Sequence, residues 1–434
     1  MKRGFYTIMS AQFFSSLADN ALFVAAVELL RSGGAAEWQR AALVPMFALF
    51  YVILAPFVGA FADALPKGKV MFISNAIKVV GCLLMLVGLH PLAAYAIVGL
   101  GAAAYSPAKY GILTELLPAS QLVKANGWIE GLTIASIILG VLLGGQLVGP
   151  MLAPTMLSFD FPVLTTGVDT APEAAIFVLI FVYAVAAWFN TRIPHTGVEM
   201  RPMRSDPRLG TLRNALRLLP DFWHCNYRLW QDKLGQISLS TTTLFWGVSG
   251  NLRYIVLAWS AAALGYSTTE ASSLVGVVAI GTAVGAVVAS VRMRLDMATS
   301  VIPLGVAMGL LVIGMNFIGN VWVAAPFLVL LGGLGGFLVV PMNALLQHRG
   351  HNLMGAGRSI AVQNFNEQAC ILGLGAFYSL STGMGLSAFG AITAFGVVVA
   401  GVMWLIQRWH KTNLVRYRAE VEHLLAIARS DTHH

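Results

Sequence analysis

The chain has 434 residues, of which 57% are hydrophobic and only 11% charged, and its mean hydropathy is +0.75. That balance excludes an ordinary soluble globular protein of this length and points to lipid as the solvent. The formal net charge of +8 follows membrane topology rather than nucleic-acid binding, because the basic residues gather in the polar stretches beside apolar segments.

Apolar segments of roughly 20 residues, the length a helix needs to cross the hydrocarbon core, fall near 5–30, 41–62, 69–89, 92–113, 122–149, 173–191, 236–262, 270–291, 299–318, 322–346, 358–381 and 385–407. They predict an all-α membrane protein of twelve transmembrane helices in two six-helix, pseudo-symmetric halves. The halves are 1–192 and 236–409, with a linker at 193–235 and a tail at 410–434. The first segment carries Asp19 in its middle and lacks a convincing cleavage site, so it is not read as a signal peptide. Of the 27 Lys and Arg residues, Arg31 and Arg40 fall on one side and Lys78, Lys109 and Arg253 within spans. The other 22 fall on the side of the N-terminus, which the positive-inside rule makes cytoplasmic. The loop Pro150–Pro172 holds Asp160 and Asp169 and no basic residue, as expected of the opposite face.

Two stretches echo each other. GLGAAAYSPAKYG (Gly99–Gly111) is followed by Asn126 and Glu130, and GGLGGFLVVPMNALLQ (Gly332–Gln347) by Asn364 and Glu367. Pro107 and Pro341 are 234 positions apart, Asn126 and Asn364 238, and Asn20 and Asn251 231. A near-constant offset indicates a duplicated bundle, and polar residues with helix breakers at matched depths mark a transporter with its site between the halves. Gly140, Gly144 and Gly145 suit close helix approach in the fifth span.

Several polar residues stand where hydrocarbon is expected. Asp19 and Asn20 lie mid-span, where a carboxylate costs about 2.5 to 3.5 kcal/mol and needs a cavity or a partner. The matching seventh span offers Asn251 and Arg253, so Asp19 and Arg253 are expected to pair, either as a gate that opens when the halves part or as a permanent structural pair. Lys109, two residues beyond Pro107, either snorkels, pairs with Glu115 or Glu130, or faces a wet cavity as a phosphate ligand. Asn343, Gln347, Gln363, Asn364 and Glu367 give the second half a polar but less charged wall. Lys78, about ten residues into the third span, is expected to snorkel or to have a buried partner. Between the second and third spans Gly59, Asp63, Lys67, Gly68 and Lys69 follow the pattern G-x-x-x-D-x-x-x-K/R-G-K/R. There the aspartate can cap or pair at a helix start and the lysines meet acidic groups.

The linker segment Arg208–Leu219 places Leu209, Leu212, Leu216 and Leu219 on one helical face and arginines on another. That suits a helix at the membrane surface or one packed on the bundle floor. The tail after Gln407 is basic, then amphipathic, and is read as a cytoplasmic helix. Cys82, Cys225 and Cys370 are isolated from one another and imply neither disulfide nor metal site; no cofactor is expected. An enzyme is disfavoured: a membrane acyltransferase would need a His-x4-Asp pair or a serine elbow, whereas His90 and His195 sit singly at span ends.

The loop at Gly59–Lys69 resembles the signature of the major facilitator superfamily. More narrowly, AQFFSSLADNALF, FVGAFADALPKGKV, GAAAYSPAKYGILTELL, LVKANGWIE, LFWGVSGNLRYIVLAW, PMNALLQHRG and GAGRSIAVQNFNE together resemble the bacterial lysophospholipid transporter (LplT) family. The resemblance implies a flippase of the Gram-negative inner membrane. It would carry lysophospholipids, chiefly lysophosphatidylethanolamine, from outer to inner leaflet for reacylation, coupled functionally to an acyltransferase/acyl-carrier-protein synthetase. It also implies important roles for Asp19, Lys109 and Arg253, with Asp63 and Lys67 in the signature loop. A phosphate needs basic residues, ethanolamine an acidic one and the acyl chain an apolar path, and Lys109, Arg253, Asp19 or Glu130 and the many Phe, Leu and Met residues supply these. The same inventory fits an exporter of amphipathic drugs. The long loop at Pro150–Pro172 and the tail depart from the family pattern.

Overall fold

A computed structural model describes residues 3–116, 119–158, 170–200, 206, 208–354 and 356–431, and the side chains of Asp63 and Glu130 lie outside the described ones. The described residues form helices and no strand. In order these are α1 (Arg3–Ser32), α2 (Glu37–Ala41), α3 (Leu43–Ile53), α4 (Ala55–Ala64), α5 (Lys67–Leu86), α6 (Pro91–Leu116), α7 (Ala119–Leu147), α8 (Ala153–Leu157), α9 (Ala171–Thr191), α10 (Thr211–Leu216), α11 (Leu218–Gln231), α12 (Gly235–Leu264), α13 (Thr268–Arg292), α14 (Ile302–Gly314), α15 (Val321–Met354), α16 (Ala356–Gly383), α17 (Ala388–Arg416) and α18 (Arg418–Asp431).

Seven described helices or helical stretches are long and apolar enough to cross a membrane, and eight if Glu37–Ile53 and Ala55–Ala62, bent by 65°, make one span. The expected spans at 92–113, 122–149, 236–262 and 358–381 coincide with α6, α7, α12 and α16 without being among those seven, so length and composition do not fix the count at twelve. Most of the loop Pro150–Pro172, including Asp160 and Asp169, lies outside the described residues.

The chain divides into two compact units, Met1–Leu218 with Tyr266–Gly276, and Leu219–Gly265 with Val277–His434. In the first, α1 packs on α7 and α9, and α5 on α6 and α9. Small residues make this possible: a Cβ on Gly140 would lie 2.6 Å from the Leu17 carbonyl oxygen, and one on Gly144 2.7 Å from that of Ala21. The helices therefore meet backbone to backbone, where dispersion replaces the hydrophobic drive that lipid cannot supply. The start of α13 belongs to this unit too; Thr269 donates to the Gly145 carbonyl at 2.7 Å. In the second unit α12 packs on α15, α16 and α17, and α14 on α17. Gly265, at φ +65°, closes α12 with a left-handed cap whose N–H returns to the Ser260 carbonyl. Pro107 and Pro341 lie inside α6 and α15 without ending either helix. The amphipathic stretch expected at 208–219 is helical over the short α10 and at its last two residues, which begin α11, the linker's longer helix, whose Phe222, Cys225 and Leu229 are buried.

Candidate functional site

The first unit holds a chain of buried polar side chains drawn from three helices. Gln12, Ser15 and Asp19 recur along one face of α1, Asn75 and Lys78 stand one turn apart on α5, and Tyr183 and Asn190 come from α9. Lys78 Nζ donates to Asp19 Oδ2 at 2.8 Å and to Ser15 Oγ at 2.9 Å. Tyr183 donates its hydroxyl to Asp19 Oδ1 at 2.6 Å. Ser15 donates in turn to Asn75 Oδ1 at 2.7 Å, and Asn75 to Asn190 Oδ1 at 2.6 Å. The rings of Tyr105 and Tyr183 lie 5.1 and 5.6 Å from the ammonium and add cation–π attraction. A lysine 1% exposed persists because a carboxylate, a hydroxyl and two aromatic faces together offset its desolvation, which is several kcal/mol for an isolated ion. Gly101 makes room for it: a Cβ there would stand 2.7 Å from Lys78 Cγ.

The pair is lopsided in exposure. The Asp19 side chain keeps 20% of its surface exposed and that of Lys78 only 2%, so Asp19 is the less buried half of the pair. Asn20 bonds back to the Ser16 carbonyl at 2.8 Å.

A second ion pair lies at the start of α5. Lys67, 8% exposed, donates to the Ala62 carbonyl at 2.7 Å and lies 3.4 Å from Glu115 Oε1, while Glu115 Oε2 accepts from the Thr196 hydroxyl at 2.8 Å. Glu115 is thus held by Lys67 and Thr196 rather than by Lys109. Lys109 is half-buried, with its ammonium 4.4 Å from the centre of the Tyr110 ring. Lys69 is exposed. The residue before α5 is Pro66, which gives it no side-chain cap; the role considered for Asp63 falls on a side chain outside the described ones.

In the second unit Gln363 donates to Asn343 Oδ1 at 2.5 Å and to Glu367 Oε1 at 2.7 Å, uniting three of the expected residues on α15 and α16. Asn251 donates to the Gly247 carbonyl of its own helix at 2.8 Å and ties α12 to α16 through the Ile371 carbonyl at 3.2 Å. Arg253 and Asn364 are half-buried and Gln347 is exposed. Arg349 grips Asp232 with two bonds, at 2.7 and 3.0 Å, and Asp232 also accepts from the Gly235 amide at the start of α12.

Comparison with known proteins agrees with this architecture of apolar helices carrying buried charge. The profile of the Major Facilitator Superfamily matches residues 8–373. Lysophospholipid transporter LplT of Yersinia pestis (strain Pestoides F) is 38% identical over 388 residues, covering 89% of this chain and 88% of that protein. The same values hold for LplT of Yersinia pseudotuberculosis serotype I (strain IP32953). The chain belongs to the LplT family of the major facilitator superfamily. Solved structures agree on the fold alone. A bacterial homologue of the human lysosomal transporter Spinster, inward-facing and unoccupied, superposes with TM-score 0.61 at 16% identity over 99% of this chain and 96% of that one. The nucleoside transporter NupG does so with TM-score 0.64 at 12% identity over 95% and 99%.

One role left open for this LplT-family chain is filled. Lys78, from the same unit, is a counter-ion of Asp19, and Tyr183 holds the other carboxylate oxygen. An ion at this depth needs its counter-ion in direct contact, and a helix of the same bundle supplies it. Sequence reasoning left Lys78 unassigned and missed Ser15, Asn75, Tyr183 and Asn190. The available signal was the placing of Gln12, Ser15 and Asp19 at i, i+3 and i+7, one polar stripe on an otherwise apolar helix.

Proposed function

We infer that this chain transports lysophospholipids, chiefly lysophosphatidylethanolamine, from the outer to the inner leaflet of a bacterial inner membrane by alternating access, with both termini cytoplasmic and the product passed to a reacylating enzyme. The family relationship supports the substrate class, since the relatives are named lysophospholipid transporters. The observation that carries the headgroup reading is the unequal exposure of the Asp19–Lys78 pair. Lys78 neutralises Asp19 from its buried side, and the carboxylate's open side is left for the ethanolamine ammonium. Bringing a second cation to a neutralised carboxylate gives moderate, reversible binding, which a transporter needs in order to release its cargo.

The phosphodiester requires a cation of its own. Lys109, on the unit that holds Asp19, is assigned that role as a point charge, and Arg253 of the other unit, a planar fork, is the second candidate. Nothing in this reading requires bond making or breaking, so the chain acts as a carrier and not as an enzyme. The deciding experiment is uptake of labelled lysophosphatidylethanolamine by spheroplasts lacking their own transporter. Expression of this chain is expected to restore uptake; spheroplasts that stay inactive while extruding amphipathic dyes would assign the chain to drug export instead.

A further inference from the structure

Away from Asp19, the first unit contains a cavity of about 640 Å³ bounded by the start of α5, the end of α6, the end of α9 and the extended stretch 193–200. Its volume lies within the roughly 300–1,000 Å³ typical of small-molecule sites. The charges on its wall do not simply cancel. Lys67 and Glu115 are committed to each other and to Ala62 and Thr196. What remains at the rim is Lys69 and His195, both exposed, with Glu199 as the remaining carboxylate of the lining. The first-turn amides of α5, a 20-residue helix whose cap is a proline, lie on the same wall and add the positive end of the helix dipole. Beside these groups Phe72 is 40% exposed and Val198 51%.

A wall that offers cations on one side and uncovered apolar surface on the other does not match a free, fully hydrated anion. It matches the junction of a phosphate with a glycerol backbone and the first methylenes of an acyl chain. The cavity's level in the bundle agrees: the start of α5 and the ends of α6 and α9 meet there, and the ends of membrane-crossing helices such as α5 and α9 are where lipid headgroups lie. The geometry points to a binding site for the phosphate-bearing headgroup of a membrane phospholipid in the leaflet on the linker side, distinct from the transport site and independent of the substrate reading above. Asn190 lines this cavity and also accepts from Asn75 in the chain leading to Lys78 and Asp19, so a lipid bound here abuts the helix that positions Tyr183.

The test is equilibrium binding of radiolabelled dihexanoyl phosphatidylglycerol to the full-length protein in detergent. Saturable binding is expected, weakened on the order of tenfold by Lys69→Gln, which removes a charge-assisted contact, and similarly by Val198→Trp, which fills the cavity. Both residues are exposed, so both variants are expected to fold, and Asp19→Asn is expected to bind as the parent does. Competition by inorganic phosphate as effective as that of the lipid would make this a free-anion site and overturn the lipid assignment. Equal competition by dihexanoylglycerol would reduce it to apolar adsorption and overturn it equally. Binding that survives Lys69→Gln and Val198→Trp but is lost in Asp19→Asn would place the lipid in the transport site and overturn the proposal.

Discussion

Lys78 on α5 and Asp19 on α1 meet at 2.8 Å inside one unit, with the lysine almost wholly buried and the aspartate a fifth exposed. This inequality determines how variants at the two positions differ. Lys78→Ala strands a carboxylate that keeps only the Tyr183 hydroxyl, and opens a void over Gly101; breaking such a pair costs about 3 kcal/mol or more. A lower yield of monodisperse protein in detergent is expected, together with loss of transport. Asp19→Asn keeps the shape and one acceptor oxygen, and is expected to express better than Lys78→Ala while still failing to transport the ethanolamine lipid. Size-exclusion profiles measured beside spheroplast uptake check this, and a Lys78→Ala protein of parental yield would contradict it.

A charge exchange separates the observed pair from the one symmetry suggests. Asp19→Lys with Lys78→Asp preserves opposite charges in contact and should recover a substantial part of the folded yield that Asp19→Lys alone loses. Asp19→Arg with Arg253→Asp should recover none, because the introduced guanidinium would then face the Lys78 ammonium. Recovery in the second exchange only would remove Lys78 from its place as the counter-ion.

The close helix packing of the first unit was legible because backbone packing and sequence report the same constraint. Gly140 and Gly144 could be assigned to helix approach before any coordinates, since only glycine lets the backbones of α1 and α7 meet. Asp19 was legible as an anomaly for a similar reason: a carboxylate amid FFSSLADNALF needs compensation. Its partner was not. Lys78 is 59 positions away, and matched depth in the two halves pointed to Arg253 instead; only the packing of α1 and α5 against α9, which brings Lys78 and Tyr183 to the two oxygens, reveals it. The committed state of Lys67 was likewise hidden, because a signature-loop lysine looks like a surface charge until Glu115 and the Ala62 carbonyl are seen to hold it.

Arg349 and Asp232 anchor the second unit in the same way. Both side chains are almost wholly buried and form a two-pronged contact, and the aspartate also holds the first amide of α12. Arg349→Lys keeps the charge but loses the fork, and should cost about 2 kcal/mol through a weakened charged hydrogen bond. A melting temperature lowered by several degrees in a thermal unfolding scan is the expected result. An unchanged melting temperature would mean that the fork adds nothing beyond its charge.

Orientation is testable with engineered thiols. Met151, 80% exposed after α7, and Leu212, 73% exposed in the linker, lie on opposite sides if the basic residues set the topology. Two of the three native thiols interfere little: Cys82 and Cys225 are buried, and burial pushes the Cys225 thiol above its usual range, which leaves less thiolate to react near neutral pH; Cys370, half-buried, is replaced by serine for the test. Met151→Cys should react with an impermeant maleimide on intact cells and Leu212→Cys only after permeabilisation. The reverse order would invert the topology and with it the proposed direction of transport.

The phosphate role of Lys109 is tested by the headgroup. Every lysophospholipid carries the phosphodiester, so Lys109→Gln is expected to reduce uptake of the ethanolamine and glycerol forms alike, by on the order of tenfold if one charge-assisted hydrogen bond is lost. Asp19→Asn should instead hurt the ethanolamine form more, because only that form brings an ammonium. Lys109→Arg should keep part of the activity, since a guanidinium can still face both the phosphate and the Tyr110 ring. Tyr110→Leu removes the ring that lies 4.4 Å from the Lys109 ammonium and should weaken uptake less than Lys109→Gln does, because the charge remains while its placement loosens. If Lys109→Gln carries both lipids at the parental rate, Lys109 is a structural charge resting on an aromatic face, and the phosphate site falls to Arg253.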